Sequence, residues 1–253
     1  MHTSYADINA LLDTFTAGVT THFRENLIGI YLTGSLTYND FVPGRSDIDL
    51  LVVLQQAATP TDVERIRQLH AHVAAIYPAW ADRVECSYIP AAWLPQTEPP
   101  IPPRPYAGNG NFYPEATYGN EWIINTWLLY EYGVALTGPP FRDLRPPVDL
   151  ADVQAACKRD FIKEWLPKLE QPDGLDDPHV QSYIVLNLCR ILSAVVAGQV
   201  TSKTPSAAWV RQTYPEWAAL VSAAQAWSYG QPMPHADQTR AFIRFTGEQL
   251  GIR

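Results

Sequence analysis

Residues 34–54 read GSLTYNDFVPGRSDIDLLVVL. A Gly-Ser turn leads through a polar loop to Asp47-Ile48-Asp49, which opens the apolar run Leu50-Leu51-Val52-Val53-Leu54. A run of that composition suits a central strand. Residues two apart on a strand project from one face, so Asp47 and Asp49 stand together while Ile48 faces a core. Neighbouring carboxylates repel each other and resist leaving water. A hard divalent cation with oxygen ligands, most simply Mg²⁺, relieves both costs. Upstream, Ile28–Leu32 is also strand-like. Gly34 then permits a close backbone approach, and Ser35 offers a hydroxyl and an N–H to a phosphate. The stretch predicts a site for a nucleoside triphosphate and a metal, with Gly34 and Ser35 toward the phosphates and Asp47 and Asp49 toward the cation.

Working outward, Ser4 to about residue 25 has helical spacing through Ile8, Leu11, Leu12 and Phe15, with Ser4 as the expected cap. A second helix is expected over 60–77, carrying Val63, Ile66, Leu69, Val73 and Ile76. His70 and His72 lie on it two apart, off a common helix face, and read as surface or packing residues. Arg83 to Ile89 alternates like a strand, with Val84, Cys86 and Tyr88 on one face and Glu85, Ser87 and Ile89 on the other. Glu85 is either an exposed strand residue or, if this strand pairs beside Asp47 and Asp49, a third carboxylate at the metal.

Residues 95–114 hold seven of the 22 prolines and are expected to form an irregular loop. Its aromatics Tyr106, Phe112 and Tyr113 either anchor it or offer faces to a ligand. Glu121–Thr137 reads as one helix stopped by Gly138-Pro139-Pro140. A proline-bearing connector, 141–149, marks the expected boundary between domains 1–148 and 149–253. Beyond it helices are expected over 150–168, 178–197, 205–213, 215–229 and 235–250. The fold class is therefore α+β: a small α/β domain followed by an all-α helix bundle.

Several residues of the second domain admit two readings. Arg190, mid-helix among apolar neighbours, pairs with a carboxylate or reaches a phosphate. Lys203, after the helix stop at Gly198 and before the next helix, is either solvated or a ligand. Asp173, Asp176 and Asp177 precede the 178–197 helix, where carboxylates serve as caps or form a negative patch for a cationic ligand.

With 253 residues, 47% of them hydrophobic, and a formal charge of -8, the chain has the composition of a globular protein. The charge argues against a nucleic-acid surface and suits a cationic small molecule. Cys86, Cys157 and Cys189 lack metal-ligand spacing. With no signal peptide and no apolar run read as long enough to span a membrane, the expectation is a reduced cytoplasmic monomer.

Gly-Ser, a spacer and Asp-x-Asp resembles the signature of the nucleotidyltransferase superfamily that includes DNA polymerase beta. YLTGSLTYNDFVPGRSDIDLLVVL, with SYIVLNLCRILSAVVAGQVTSKTPSAAW at 182–209, is similar to the streptomycin/spectinomycin adenylyltransferases, aminoglycoside nucleotidyltransferases with a helical C-terminal domain. The resemblance implies Mg²⁺-dependent transfer of AMP from ATP to a hydroxyl of a cationic small molecule, giving antibiotic resistance. It implies Glu85 as catalytic base beside the metal ligands Asp47 and Asp49, and Arg190, Lys203 and Tyr229 as nucleotide ligands. It implies Asp176 on the drug, whereas the next acidic family position is Val180 here, which weakens the case for these two drugs specifically. Two alternatives stay open: the same chemistry on a non-antibiotic acceptor, or a non-catalytic, antitoxin-like binding module.

Overall fold

The computed structural model describes residues 2–171 and 174–252. The chain forms two compact units, Met1–Val148 and Asp149–Arg253.

In the first unit, α1 (Ala6–Phe23) leads into β1 (Leu27–Thr33), and the Gly34 turn and polar loop lead to β2 (Ile48–Leu54). Helix α2 (Pro60–Ile76) crosses to β3 (Val84–Pro90). Then come β4 (Arg104–Gly108), β5 (Asn111–Ala116), α3 (Glu121–Tyr132) and β6 (Val134–Thr137). The strands form one sheet in the order β5-β4-β3-β2-β1-β6. Only β2 and β3 run parallel, joined by α2; the other neighbours are antiparallel. Alternation sorts the faces. Ile30 and Leu32 of β1, Ile48, Leu50, Val52 and Leu54 of β2, and Val84, Cys86 and Tyr88 of β3 join a core with α1 and α2. The intervening residues, among them Asp49 and Glu85, belong to the opposite face.

Four expectations need correction. Helix α1 is not capped by Ser4: its N-cap position is Tyr5, with no side-chain cap, and the Asn9 side chain accepts from the Thr3 N–H just before it at 2.8 Å. The proline-rich segment is not wholly irregular, because β4 and β5 form a hairpin within and beyond it. Its turn is Asn109-Gly110, both with positive φ (51° and 70°), the backbone of the tight hairpin turn that Asn-Gly favours. Pro105 is tolerated because the β4–β5 register shifts between Arg104 and Tyr106, and a bulge removes the need for its missing N–H. The helix from Glu121 ends at Tyr132, and Val134–Thr137 is diverted into an edge strand on β1. The expected 150–168 helix is regular only to Asp160, then widens at Phe161–Trp165 and tightens at Leu166–Leu169 around Pro167.

In the second unit, α5 (Pro178–Val196) lies among α4 (Leu150–Asp160), α6 (Lys203–Thr213), α7 (Ala218–Ala226) and α8 (Ala236–Leu250). Contrary to the sequence reading, α5 is long and apolar enough to cross a membrane by length and composition. With 61% of its apolar stretch buried, α5 serves as the core helix of a folded unit. All three cysteines are buried and unpaired.

Candidate active site

In the first unit the candidate site is set by strand register. Parallel pairing places Asp49 of β2 opposite Glu85 of β3, and antiparallel pairing places Thr33 of β1 on the other side of Asp49. Neighbouring strands lie about 5 Å apart, so the two carboxylates are adjacent on the face away from the α1–α2 core. Gly34, at φ 71°, turns the chain directly beneath Asp49. A Cβ at this position would overlap the Asp49 carboxylate, so the glycine is needed for the close approach as well as for the backbone angle. Ser35 follows in the same short turn, whose Gly34 carbonyl accepts from the Thr37 N–H at 2.9 Å.

Asp47 lies just before β2. The Arg83 guanidinium is 3.9 Å from its carboxylate, donates to the Ser46 carbonyl and covers the Trp80 ring at 4.4 Å. The entry to β2 is thereby held against the entry to β3. Glu85 is met by the Tyr106 hydroxyl. Burial, then the charge of Glu85 and its hydrogen bond, raise the Tyr106 pKa, with a smaller contribution from Asp49. The phenol therefore keeps its proton and donates.

Three oxygen-bearing carboxylates on one sheet face suit Mg²⁺ chemically. Among the described residues, however, no three His, Cys, Asp or Glu side chains converge as a metal-binding group. The expected set of Asp47, Asp49 and Glu85 is thus not closed in this conformation. The Arg83–Asp47 and Tyr106–Glu85 contacts give the outer two carboxylates other partners.

The second unit gathers the expected nucleotide residues differently. Arg190 lies on α5 with Nη1 3.5 Å from the Asn187 Oδ1. His179, Tyr183, Asn187 and Arg190 recur at helical spacing and form one stripe of α5 that is not fully buried. Lys203 opens α6 and its Nζ lies 5.2 Å from the Tyr183 ring centre. Tyr229, 59% exposed, has its ring tilted against His179 at 5.3 Å and edge-on to Trp227 at 5.1 Å. Arg190 and Lys203 are thus linked through the α5 stripe, and Tyr229 through His179. The sequence reading named Arg190, Lys203 and Tyr229 but not their neighbours His179, Tyr183 and Asn187, whose helical spacing from Arg190 was the available signal.

The acidic group before α5 is mixed. Asp177 caps the helix, accepting from the His179 N–H at 2.8 Å. Asp176 is exposed and borders a cavity of about 710 Å³ with Gln181 and His235. Asp173 lies outside the described residues. Of the aromatics in the proline-rich region, Phe112 packs on the core, while Tyr106 and Tyr113 stack on each other at 5.9 Å.

Known proteins bear the same two parts. Residues 19–93 match the nucleotidyltransferase domain, and residues 143–248 match the aminoglycoside adenylyltransferase C-terminal domain. The spectinomycin 9-adenylyltransferase of Campylobacter jejuni is 25% identical over 220 residues, covering 78% of this chain and 75% of that protein. The enzyme of the same name from Staphylococcus aureus is 26% identical over 213 residues, 77% of this chain and 74% of the relative. The structure of a spectinomycin adenyltransferase from Enterococcus faecialis, solved with ATP and spectinomycin, superposes with a TM-score of 0.74. That match covers 96% of this chain and 99% of the other at 19% identity, which establishes the shared fold. The matched N-terminal domain and the shared fold mark the chain as a nucleotidyltransferase. Within that class, the chain is an enzyme of the adenylyltransferase type, similar in its C-terminal part to the aminoglycoside adenylyltransferases.

Proposed function

We propose that this enzyme transfers AMP from ATP to a hydroxyl of an aminocyclitol antibiotic, with spectinomycin as the first candidate acceptor and streptomycin as the second, and so confers resistance in the cytoplasm. The observation that carries the chemistry is the pairing of Asp49 with Glu85 in the register of β2 and β3, beside the Gly34 turn. The spectinomycin preference rests on the named activity of the relatives.

The acceptor hydroxyl attacks the α-phosphorus in line. A new P–O bond forms, the bond to the bridging oxygen breaks, and pyrophosphate leaves with its electron pair. Glu85 takes the proton of the attacking hydroxyl. Asp47 and Asp49, with Glu85 alongside, would hold Mg²⁺, which when bound neutralises triphosphate charge and stabilises the departing pyrophosphate. Gly34 and Ser35 present backbone and hydroxyl donors to the phosphates. Arg190 and Lys203 add cationic donors, and Tyr229 offers a ring to the nucleotide. Asp176, with Asp173 and Asp177, supplies negative charge toward a cationic acceptor. Most of the acceleration then comes from positioning and charge neutralisation.

The test is mass spectrometry of reactions containing the protein, ATP, Mg²⁺ and spectinomycin or streptomycin, with Asp49→Asn alongside. The expected result is an acceptor heavier by one AMP, formed by the wild type and not by the variant. Pyrophosphate release with a cell extract but no drug adduct would transfer the same chemistry to a non-antibiotic acceptor.

A further inference from the structure

Beside Glu85 the hairpin strand β4 has an unusual arrangement. Antiparallel pairing aligns Ser87 with Tyr106 and Cys86 with Ala107, which brings Gly108 opposite Glu85. Tyr106 and Gly108, two apart, share the sheet face of Glu85. The position across from the carboxylate therefore lacks a side chain of its own. The Tyr106 phenol fills that space: a Cβ on Gly108 would overlap its hydroxyl. Lying along the strand over Gly108, the phenol reaches Glu85 and hydrogen-bonds to it.

The ring is confined on other sides too. Tyr113 of β5 stacks on it at 5.9 Å with 22° between planes, and the Arg104 guanidinium lies 5.2 Å from its centre. Arg104 is itself buried and fixed. It donates from Nε to the Ser87 Oγ at 3.0 Å and from Nη1 to the Ala116 carbonyl at 3.1 Å, and it covers the Tyr118 ring at 3.4 Å. A phenol held on three sides is a pre-oriented donor whose target is one carboxylate.

We propose that Tyr106 is a positioning residue for Glu85: with Gly108 as the notch that admits it, the phenol sets the carboxylate orientation in which Glu85 receives the acceptor proton. This rests on the reading of Glu85 as the base. A carboxylate free to rotate would spend only part of its time in the productive orientation, so the contact acts on the chemical step and not on ATP binding.

The test uses the intact protein with ATP, Mg²⁺ and spectinomycin, comparing Tyr106→Phe, Glu85→Gln, the double variant and Gly108→Ala. Tyr106→Phe keeps the ring and its stack. It is expected to lower kcat about tenfold while KM for ATP and the melting temperature stay unchanged. Gly108→Ala, which displaces the hydroxyl, should reproduce that loss. In the Glu85→Gln background, Tyr106→Phe should cost nothing further, because its route to the reaction is already gone. A crystal structure of Tyr106→Phe, readable without any acceptor, should show the Glu85 carboxylate rotated from its wild-type position. Tyr106→Phe at the wild-type rate with Glu85→Gln inactive would overturn the positioning role alone. An equal loss in both backgrounds, or an unmoved Glu85 in the crystal, would overturn it too. Glu85→Gln at the wild-type rate would instead remove the base reading beneath it.

Discussion

At the scale of single residues, Asp49 carries the most. It is flanked by Thr33 and Glu85 and rests on a glycine that has no room for a Cβ. Asp49→Asn keeps that shape while removing the charge, so the fold should survive and the reaction should not. The expected loss is at least about 100-fold in kcat, or ~2.7 kcal/mol of barrier, with an unchanged circular-dichroism spectrum; activity within tenfold of wild type would remove Asp49 from the metal site. Gly34→Ala tests the floor beneath it. A methyl group there both forces a left-handed backbone on alanine, at a cost of about 1–2 kcal/mol, and pushes the carboxylate aside. A lower urea midpoint together with a fall in kcat is expected, measured on the same preparation. These residues were legible in the sequence, since DxD before an apolar run states its own geometry. The Tyr106–Glu85 contact was not legible, because it depends on which strand lies beside β3 and in what register.

At the scale of elements, α2 and β3 are joined by a contact that pH should reveal. His70 of α2 has its ring among Phe15, Tyr88 and Phe112 and its Nε2 2.9 Å from the Tyr88 hydroxyl. Burial lowers its pKa from 6.5 to about 4. Above pH 6.5 the ring is neutral in both folded and unfolded chains and contributes no pH dependence. As pH falls below 6.5 the unfolded chain binds a proton that the folded chain refuses, so stability drops until about pH 4, where the loss levels off. The full loss from this one group is up to about 3 kcal/mol. Urea unfolding at pH 7 and pH 5 should show the decline, and His70→Gln should flatten that part of the profile. The sequence reading of His70 as surface or packing left this contact open, since a lone histidine on a helix does not announce its partner. The β4–β5 hairpin is a different kind of miss. Asn109-Gly110 is a strong turn signal, but the prolines around it argued for an irregular loop, and only the bulge at Pro105 reconciles the two.

At the scale of the whole molecule, the chain divides its predicted duties between units. Carboxylate chemistry sits in the first, and Arg190, Lys203 and Tyr229 sit in the second. Substitutions in the two should therefore differ in kinetic signature. Arg190→Ala is expected to raise KM for ATP about tenfold, ~1.4 kcal/mol, which steady-state titration of ATP will show. The net charge of -8 should draw in a cationic acceptor, so its kcat/KM should fall as salt rises and the field is screened. The sequence by itself determined the class of each unit, the β1-turn-β2 motif, the two faces of β3 and the core stripes of the main helices. Those follow from local periodicity and from residue types whose chemistry is intrinsic. Tertiary structure alone decided that Glu85 stands opposite Asp49, that Val134–Thr137 leaves a helix to pair with β1, and that Tyr106 lies over Gly108 against the carboxylate. Each of these depends on strand order and register, which arise from contacts between segments far apart in the chain and leave no mark on the spacing within any one of them.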